Sequence, residues 1–221
     1  MRVRCLPQKY LMKKSGRCKV KNIAGKLVWQ LQSLFCRVAS SWRIHHFRLR
    51  EGRLHQRSEF GFRTVFNVPI RSGGCGRLLV GSENSFGYVS APRLGAGEVM
   101  LQPREKDAVI RIGNNNQFSN NISIIAASEV VLGNGCLVGD QVSIYDCDFH
   151  EVDPVNRTRS VGPVLPVVIG NNVWLGSRVM VLKGVSIGDN TVVGAMSLVT
   201  KSLPANCVAA GVPAKVVRYI E

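Results

Sequence analysis

Residues 169–200 read IGNNVWLGSRVMVLKGVSIGDNTVVGAMSLVT. Every sixth residue is aliphatic (Ile169, Leu175, Val181, Ile187, Val193, Val199), and glycine follows four of them, at Gly170, Gly176, Gly188 and Gly194. Four positions after each aliphatic residue stands Val173, Val179, Val185, Thr191, Ser197 or Leu203, mostly small or β-branched. A six-residue period cannot hold one face of an α-helix, whose period is about 3.6, and four glycines would weaken such a helix further. It suits very short strands that turn a corner wherever glycine permits unusual backbone angles. Self-similarity at a fixed short period is the signature of a solenoid.

The register runs backward from this block with interruptions. Ile112, Phe118 and Ile124 keep the six-spacing, as do Leu132, Val138 and Ile144 after a slip of two, and Val80 and Phe86 form an earlier, weaker pair. Two stretches break the pattern and are expected to be insertions, one near residues 90–108 and one over 149–166. Insertions of a solenoid lie on its rim, where function often resides. Residues 202–221, SLPANCVAAGVPAKVVRYIE, are expected to close the coil and cap its open edge.

The first sixty residues are different in kind. They carry fifteen Lys and Arg against Glu51 and Glu59, while the remainder carries fourteen against twelve and is nearly neutral. This split divides the chain into a basic tail (1–22, read as solvated), an amphipathic helical arm (23–60) and a β-solenoid domain (61–221). In the arm, Leu27, Leu31, Leu34, Phe35, Val38 and Trp42 recur at helical spacing, with Lys26, Arg37, Arg43 and Arg48 interleaved. Two readings stand: an interfacial helix in peripheral membrane contact through residues 23–49, or a helix packed on the domain or a sister subunit. The arm carries no zinc-finger spacing or RNP-type motif, so nucleic acid is disfavoured as a partner.

Seven cysteines without C-x-x-C spacing fit free thiols in a reducing cytoplasm better than a disulfide framework or a zinc site. No uninterrupted apolar core follows the basic start, and no run of eighteen apolar residues occurs, so neither a secretory signal nor a membrane span is expected. The expected location is the cytoplasm, with the inner membrane face as a place of peripheral contact.

The second insertion opens with YDCDFHEVDP, residues 145–154. His150 is the only histidine after residue 55, and Asp146, Asp148, Glu151 and Asp153 surround it in sequence. Zinc sites want histidine and cysteine clusters of defined spacing, and this segment offers one of each, so no metal is expected. An imidazole with a reference pKa near ~6.5 is suited instead to taking a proton from an alcohol during acyl transfer.

Taken together, D-C-D-F-H-E-V-D-P, P-V-V-I-G-N-N-V-W-L-G-S, the V-I-G-D-N-type repeats and A-A-G-V-P-A-K-V-V-R resemble the hexapeptide acyltransferases. Within that family the resemblance is to galactoside/maltose acetyltransferases and bacterial polysaccharide O-acetyltransferases. It is strong over residues 110–218, weaker over 75–110 and absent before 60. It implies a left-handed parallel β-helix, an all-β solenoid, here with an N-terminal helical basic extension. It also implies a homotrimer that binds acetyl-CoA between subunits and acts without a metal.

Carried over by motif, His150 matches the catalytic histidine, through H-x-x-D with Asp153 and the 24-residue interval to Trp174 of N-V-W-L-G. Glu151 replaces the family's usual proline, and Cys147 stands where polysaccharide relatives have a first histidine. Asp148 or Asp153 is expected to orient the imidazole, and Trp174 or the turn amides at Gly176 and Ser177 to stabilise the oxyanion. Gly176, Ser177, Ala195, Thr200 and Lys201 match acetyl-CoA contacts, Lys215 and Arg218 the basic pair near its phosphates, and Asn120 and Asn121 an acceptor contact.

The activity implied is transfer of an acetyl group from acetyl-CoA to a saccharide hydroxyl of a capsule, lipopolysaccharide or exopolysaccharide, with His150 as base in a ternary complex. N-acetylation of an amino-sugar nucleotide is the rival within enzymes. A non-catalytic β-helix scaffold is the rival outside them.

Overall fold

In the computed structural model of the protein, residues 38–47, 49, 57–88 and 96–221 are described. Strands of two to six residues follow one another in threes, each three completing a coil. The coils are β1 (Arg57–Phe60), β2 (Val65–Phe66) and β3 (Ile70–Arg71), then β4 (Arg77–Val80), β5 (Ser85–Phe86) and β6 (Val99–Pro103). Next come β7 (Val109–Ile112), β8 (Gln117–Phe118) and β9 (Ile122–Ala126), and β10 (Glu129–Leu132), β11 (Leu137–Val138) and β12 (Ser143–Tyr145). The last are β13 (Val167–Ile169), β14 (Trp174–Leu175) and β15 (Met180–Val181), and β16 (Ser186–Ile187), β17 (Val192–Val193) and β18 (Leu198–Val199).

Every third strand shares a sheet and pairs in parallel with its counterpart one coil on. The first face is β1-β4-β7-β10-β13-β16, the second runs from β2 to β17 and the third from β3 to β18. This is the left-handed β-helix of hexapeptide repeats. Both aliphatic rows of the repeat point inward: Ile169, Leu175, Val181, Ile187, Val193 and Val199 are buried, as are Val173, Val179, Val185, Thr191, Ser197 and Leu203. In the N-terminal coils the second face is filled by a ring stack instead. Phe66 lies on Phe86 at 5.0 Å and Phe86 on Phe118 at 4.4 Å, both nearly parallel.

The helix expected over the arm is present over residues 38–47, which we call α1, while Leu27, Leu31, Leu34 and Phe35 lie outside the described residues. It covers the open end of the first coil. Ser40 Oγ accepts the Phe66 N–H at 2.9 Å, Arg43 donates to the Phe66 carbonyl at 3.0 Å, and Phe47 meets Phe60 edge-on. An edge strand otherwise left with unpaired backbone groups is thereby satisfied. The packed face runs through Ser40, Ile44 and Phe47; Val38 and Trp42 of the expected stripe stand outside it, Trp42 at 65% exposure.

Three boundaries differ from the sequence reading. The solenoid begins at β1, before residue 61, because Phe60 already packs against the core. The first insertion is shorter than 90–108, since β6 occupies Val99–Pro103 with Val99, Leu101 and Pro103 turned inward in alternation. The second excursion opens at Asp146 and closes before β13. At the C-terminus, β19 (Cys207–Gly211) extends the second face in parallel, and β20 (Ala214–Tyr219) folds back antiparallel along it.

No helix among the described residues is long and apolar enough to cross a membrane.

Candidate active site

The excursion after β12 leaves the corner between the third and first faces as a narrow neck. Asp148 N–H donates to the Pro163 carbonyl, Gly162 N–H to Asp148 and Leu165 N–H to Asp146, with Cys147 bridging Val164. The neck is fixed to the coils on both sides. The fully buried Asp146 carboxylate accepts the Ala127 and Ser128 N–H groups at 2.7 Å each. On the other side Lys183 Nζ lies 2.6 Å from Asp148 Oδ2, and Gly184 N–H donates to Leu165. Phe149 is held between the Tyr145 ring, edge-on at 5.3 Å, and the Arg104 guanidinium, 4.6 Å over its face.

His150 follows at the base of the loop head, exposed. Its Nδ1 lies 2.9 Å from the Arg157 carbonyl oxygen. A carbonyl only accepts, so Nδ1 is the donor, and in the neutral ring the lone pair is then on Nε2. Neither carboxylate expected to orient the ring bonds to it here. Asp148 is spent on Lys183, and Asp153 caps its own turn, accepting Val155 N–H at 3.2 Å and Asn156 Nδ2 at 2.8 Å. The orienting group is a backbone carbonyl, steadied by Arg157 Nη2 donating to Val152 O at 2.9 Å. Arg157 and Lys183 carry no motif signal, although the eighteen-residue period does place Lys183 in register with Lys201.

Trp174, exposed at 52%, stands on the second face with Leu137 and Val192 as strand neighbours. The next corner is built of small residues in a column. A Cβ on Gly139 would fall 2.6 Å from Ser177 N, and one on Gly176 would fall 2.6 Å from Ala195 N, so the backbones stack without room for side chains. Arg178 and Met196, one residue beyond Ser177 and Ala195, hold φ near 60°, an uncommon angle for such residues. In β20, Lys215 pairs with Ala210, whose Cβ lies 3.0 Å from where a Cβ on Gly194 would sit, and Arg218 pairs with Val208. Gly176, Ser177, Ala195 and Lys215 thus follow one edge of the solenoid. Thr200 and Lys201 sit at the following corner, across the third face and on the side of the His150 loop.

Asn120 does not fit an acceptor contact. It is wholly buried, its amide accepting from Tyr88 N and donating to Tyr88 O, a corner ladder inside the wall. Asn121, half-buried with φ 58°, donates to Asp140 at 3.0 Å beside Gly97. Cys147 is buried, and burial pushes its thiol up to about 11, with the Asp146 carboxylate adding to the rise. Among the described residues no group of three or more His, Cys, Asp or Glu side chains is gathered to hold a metal ion. Asp146, Asp148 and Asp153 of YDCDFHEVDP each point to a separate structural partner.

Residues 166–201 match the repeat family described as "Bacterial transferase hexapeptide (six repeats)". Galactoside O-acetyltransferase of Escherichia coli (strain K12) is 42% identical over 111 residues, covering 50% of this chain and 54% of that protein. The chain therefore spans about half the length of that relative. The putative colanic acid biosynthesis acetyltransferase WcaF of Escherichia coli (strain K12) is 37% identical over 124 residues, covering 49% of this chain and 68% of that protein. The fold is shared with the hexapeptide-repeat acetyltransferase VCA0836 of Vibrio cholerae, with a TM-score of 0.55 and 21% identity over 81% of each chain. The inward-facing six-residue rows and the relative matched over two thirds of its length together make the chain a member of the hexapeptide-repeat acyltransferase family.

Proposed function

We propose that the protein transfers an acetyl group from acetyl-CoA to a saccharide hydroxyl, with His150 as general base. The observation that carries this reading is the exposed imidazole with Nδ1 engaged by the Arg157 carbonyl, which leaves Nε2 as a proton acceptor. The acceptor O–H gives its proton to Nε2 as its oxygen attacks the thioester carbonyl. The tetrahedral intermediate then collapses, the C–S bond breaks, and the departing CoA sulfur takes that proton from the imidazolium. Gly176 N–H is used by the Val193 carbonyl, so the oxyanion donors are the Ser177 amide and the Trp174 indole N–H.

A covalent route through Cys147 is disfavoured, because a thiol held up to about 11 is un-ionised at neutral pH and buried besides. The small-residue corner at Gly176, Ser177 and Ala195 suits close approach of a pantetheine arm, and Lys215 and Arg218 suit its phosphates. In one chain the His150 loop and this edge lie on opposite sides of the third face. That separation supports a site completed by a neighbouring subunit of a trimer, the loop of one serving the edge of the next.

The names of the sugar-modifying relatives support a saccharide acceptor, in a capsule, lipopolysaccharide or exopolysaccharide precursor. The exposed outer stripe of α1 and the basic arm support peripheral contact with an anionic membrane surface, which vesicle co-sedimentation tests. Acetyl-CoA with a panel of saccharides, followed by thiol release, tests the activity. Mild alkali then separates the products, since O-acetyl esters are cleaved and N-acetyl amides survive. No release with any acceptor, together with no acetyl-CoA binding, favours a scaffold.

A further inference from the structure

The loop that carries His150 is joined to the following coil by one ion pair, and the residue supplying it belongs to no motif of the repeat. Lys183 sits at the corner after β15, and its Nζ reaches 2.6 Å to Asp148 Oδ2, thirty-five residues back and two before His150. The pair is only partly exposed, 24% on the lysine side chain and 38% on the aspartate. It is therefore less screened than a surface pair. Its position is specific. Asp148 is the last residue of the outgoing arm hydrogen-bonded to the returning arm, through Pro163 and Gly162. Beyond it Phe149 still touches the solenoid through Tyr145 and Arg104, and from His150 on the head is held by internal contacts, Arg157 to Val152 and Asp153 to Val155 and Asn156.

We propose that Lys183 is a positioning residue for acyl transfer, acting through Asp148 to fix the height and direction at which the His150 loop leaves the rim. The inference rests on the reading of His150 as base. Asp146 holds the preceding coil's side of the neck; on the following coil's side Lys183 holds the outgoing arm at Asp148, and Gly184 N–H holds the returning arm at Leu165. Without Lys183 the outgoing arm at Asp148 loses its tie to the following coil, and the head shifts with His150 still bonded to Arg157. The imidazole stays intact but is misplaced relative to the acceptor and thioester, and a displacement of about 1 Å can cost up to about a hundredfold in rate. Acetyl-CoA binding is little changed, because Lys183 fixes the loop that acts on the acceptor and not the Gly176, Ser177 and Ala195 corner that suits the pantetheine arm.

The test uses the full chain with Lys183→Met, Lys183→Arg, Asp148→Ala and the double variant Asp148→Ala/Lys183→Met. Lys183→Met is expected to lower kcat by about ten- to a hundredfold while the KM for acetyl-CoA stays within about twofold. Lys183→Arg, which keeps the charge, should recover most of the rate, and the double variant should be no worse than either single, as for one shared contact. Trypsin reads the loop without any activity. Cleavage after Arg157 and Arg159 should be faster in Lys183→Met and Asp148→Ala than in the wild type or Lys183→Arg.

Unchanged kcat with unchanged cleavage would overturn the proposal, and so would additive losses in the double variant. If the wild-type protein itself releases no thiol, the acyl-transfer reading fails. The trypsin comparison still decides whether Lys183 holds the loop.

Discussion

Asp146 is the residue on which the loop's attachment depends most, and its replacement has a calculable cost. The carboxylate is fully buried and accepts two backbone N–H groups at 2.7 Å, from Ala127 and Ser128 of the coil before it. Hydrogen bonds to a charged group are worth about 1.5–3 kcal/mol each. Ser128 is exposed as a residue, so its freed N–H can find water, whereas Ala127 is half-buried. Asp146→Ala should therefore cost about 2–4 kcal/mol rather than the full sum. Asp146→Asn keeps one acceptor but turns an NH2 group toward a donor, for a loss of about 2 kcal/mol. Urea unfolding followed by far-ultraviolet circular dichroism measures both, with the slope of the transition unchanged. In the same variants the neck loses its anchor, so turnover should fall further than stability alone explains at temperatures where both remain folded. A stability change under about 0.5 kcal/mol for Asp146→Asn would refute the claim that this carboxylate ties the loop to the solenoid.

The Phe86 ring is fully buried between Phe66 and Phe118, so Phe86→Ala should cost about 3–5 kcal/mol and Phe86→Leu much less, by denaturant titration. Burial pushes the Cys136 and Cys147 thiols up to about 11 from an ordinary 9.0. They stay protonated in the fold where the unfolded chain ionises. Their contribution to stability is thus complete below pH 9.0 and is lost as pH rises toward about 11. A thermal midpoint that is flat across that interval would contradict the assignment, as would rapid iodoacetamide labelling of Cys147 at neutral pH beside the exposed Cys75. If the site is shared between subunits, His150→Ala and Ala195→Trp should each be inactive alone. Co-refolded together they should regain about a quarter of wild-type activity, the share of sites pairing an intact loop with an intact edge in a randomly mixed ring.

How much of this was legible depends on where the period held. From Ile169 to Val199 the coils repeat every eighteen residues, as in Val168 with Ser186 and Trp174 with Val192, so the inward rows stand out in the sequence. Earlier coils take twenty where no insertion intervenes, as in Arg57 with Arg77 and Glu129 with Val109, because their first-face strands run to four residues, β4 and β10 each burying two side chains in alternation. That widening is the slip of two seen between Ile124 and Leu132, and it hid β1 to β3 altogether. In β6 the alternation of Val99, Leu101 and Pro103 lies among polar and charged neighbours and reads as loop.

The candidate site divides in the same way. Motif spacing marked His150, Trp174 and the small-residue corner. It did not reveal the Arg157 carbonyl, which is a main-chain group and leaves no side-chain signature. The Lys183–Asp148 pair depends on the stacking of coils thirty-five residues apart, and Asn120 and Asn121 exchange inward and outward roles with a shift of one residue.

The central claim is that an imidazole on the rim removes the acceptor's proton. Steady-state thiol release from acetyl-CoA by wild-type protein and by His150→Ala, alongside calorimetric binding of acetyl-CoA to both, tests it most directly. Loss of a general base should lower kcat by about 10²–10⁴-fold, with acetyl-CoA affinity held within about twofold because a base that takes the acceptor's proton acts in the transition state and not in coenzyme binding. Turnover of His150→Ala within a few-fold of the wild type would contradict it.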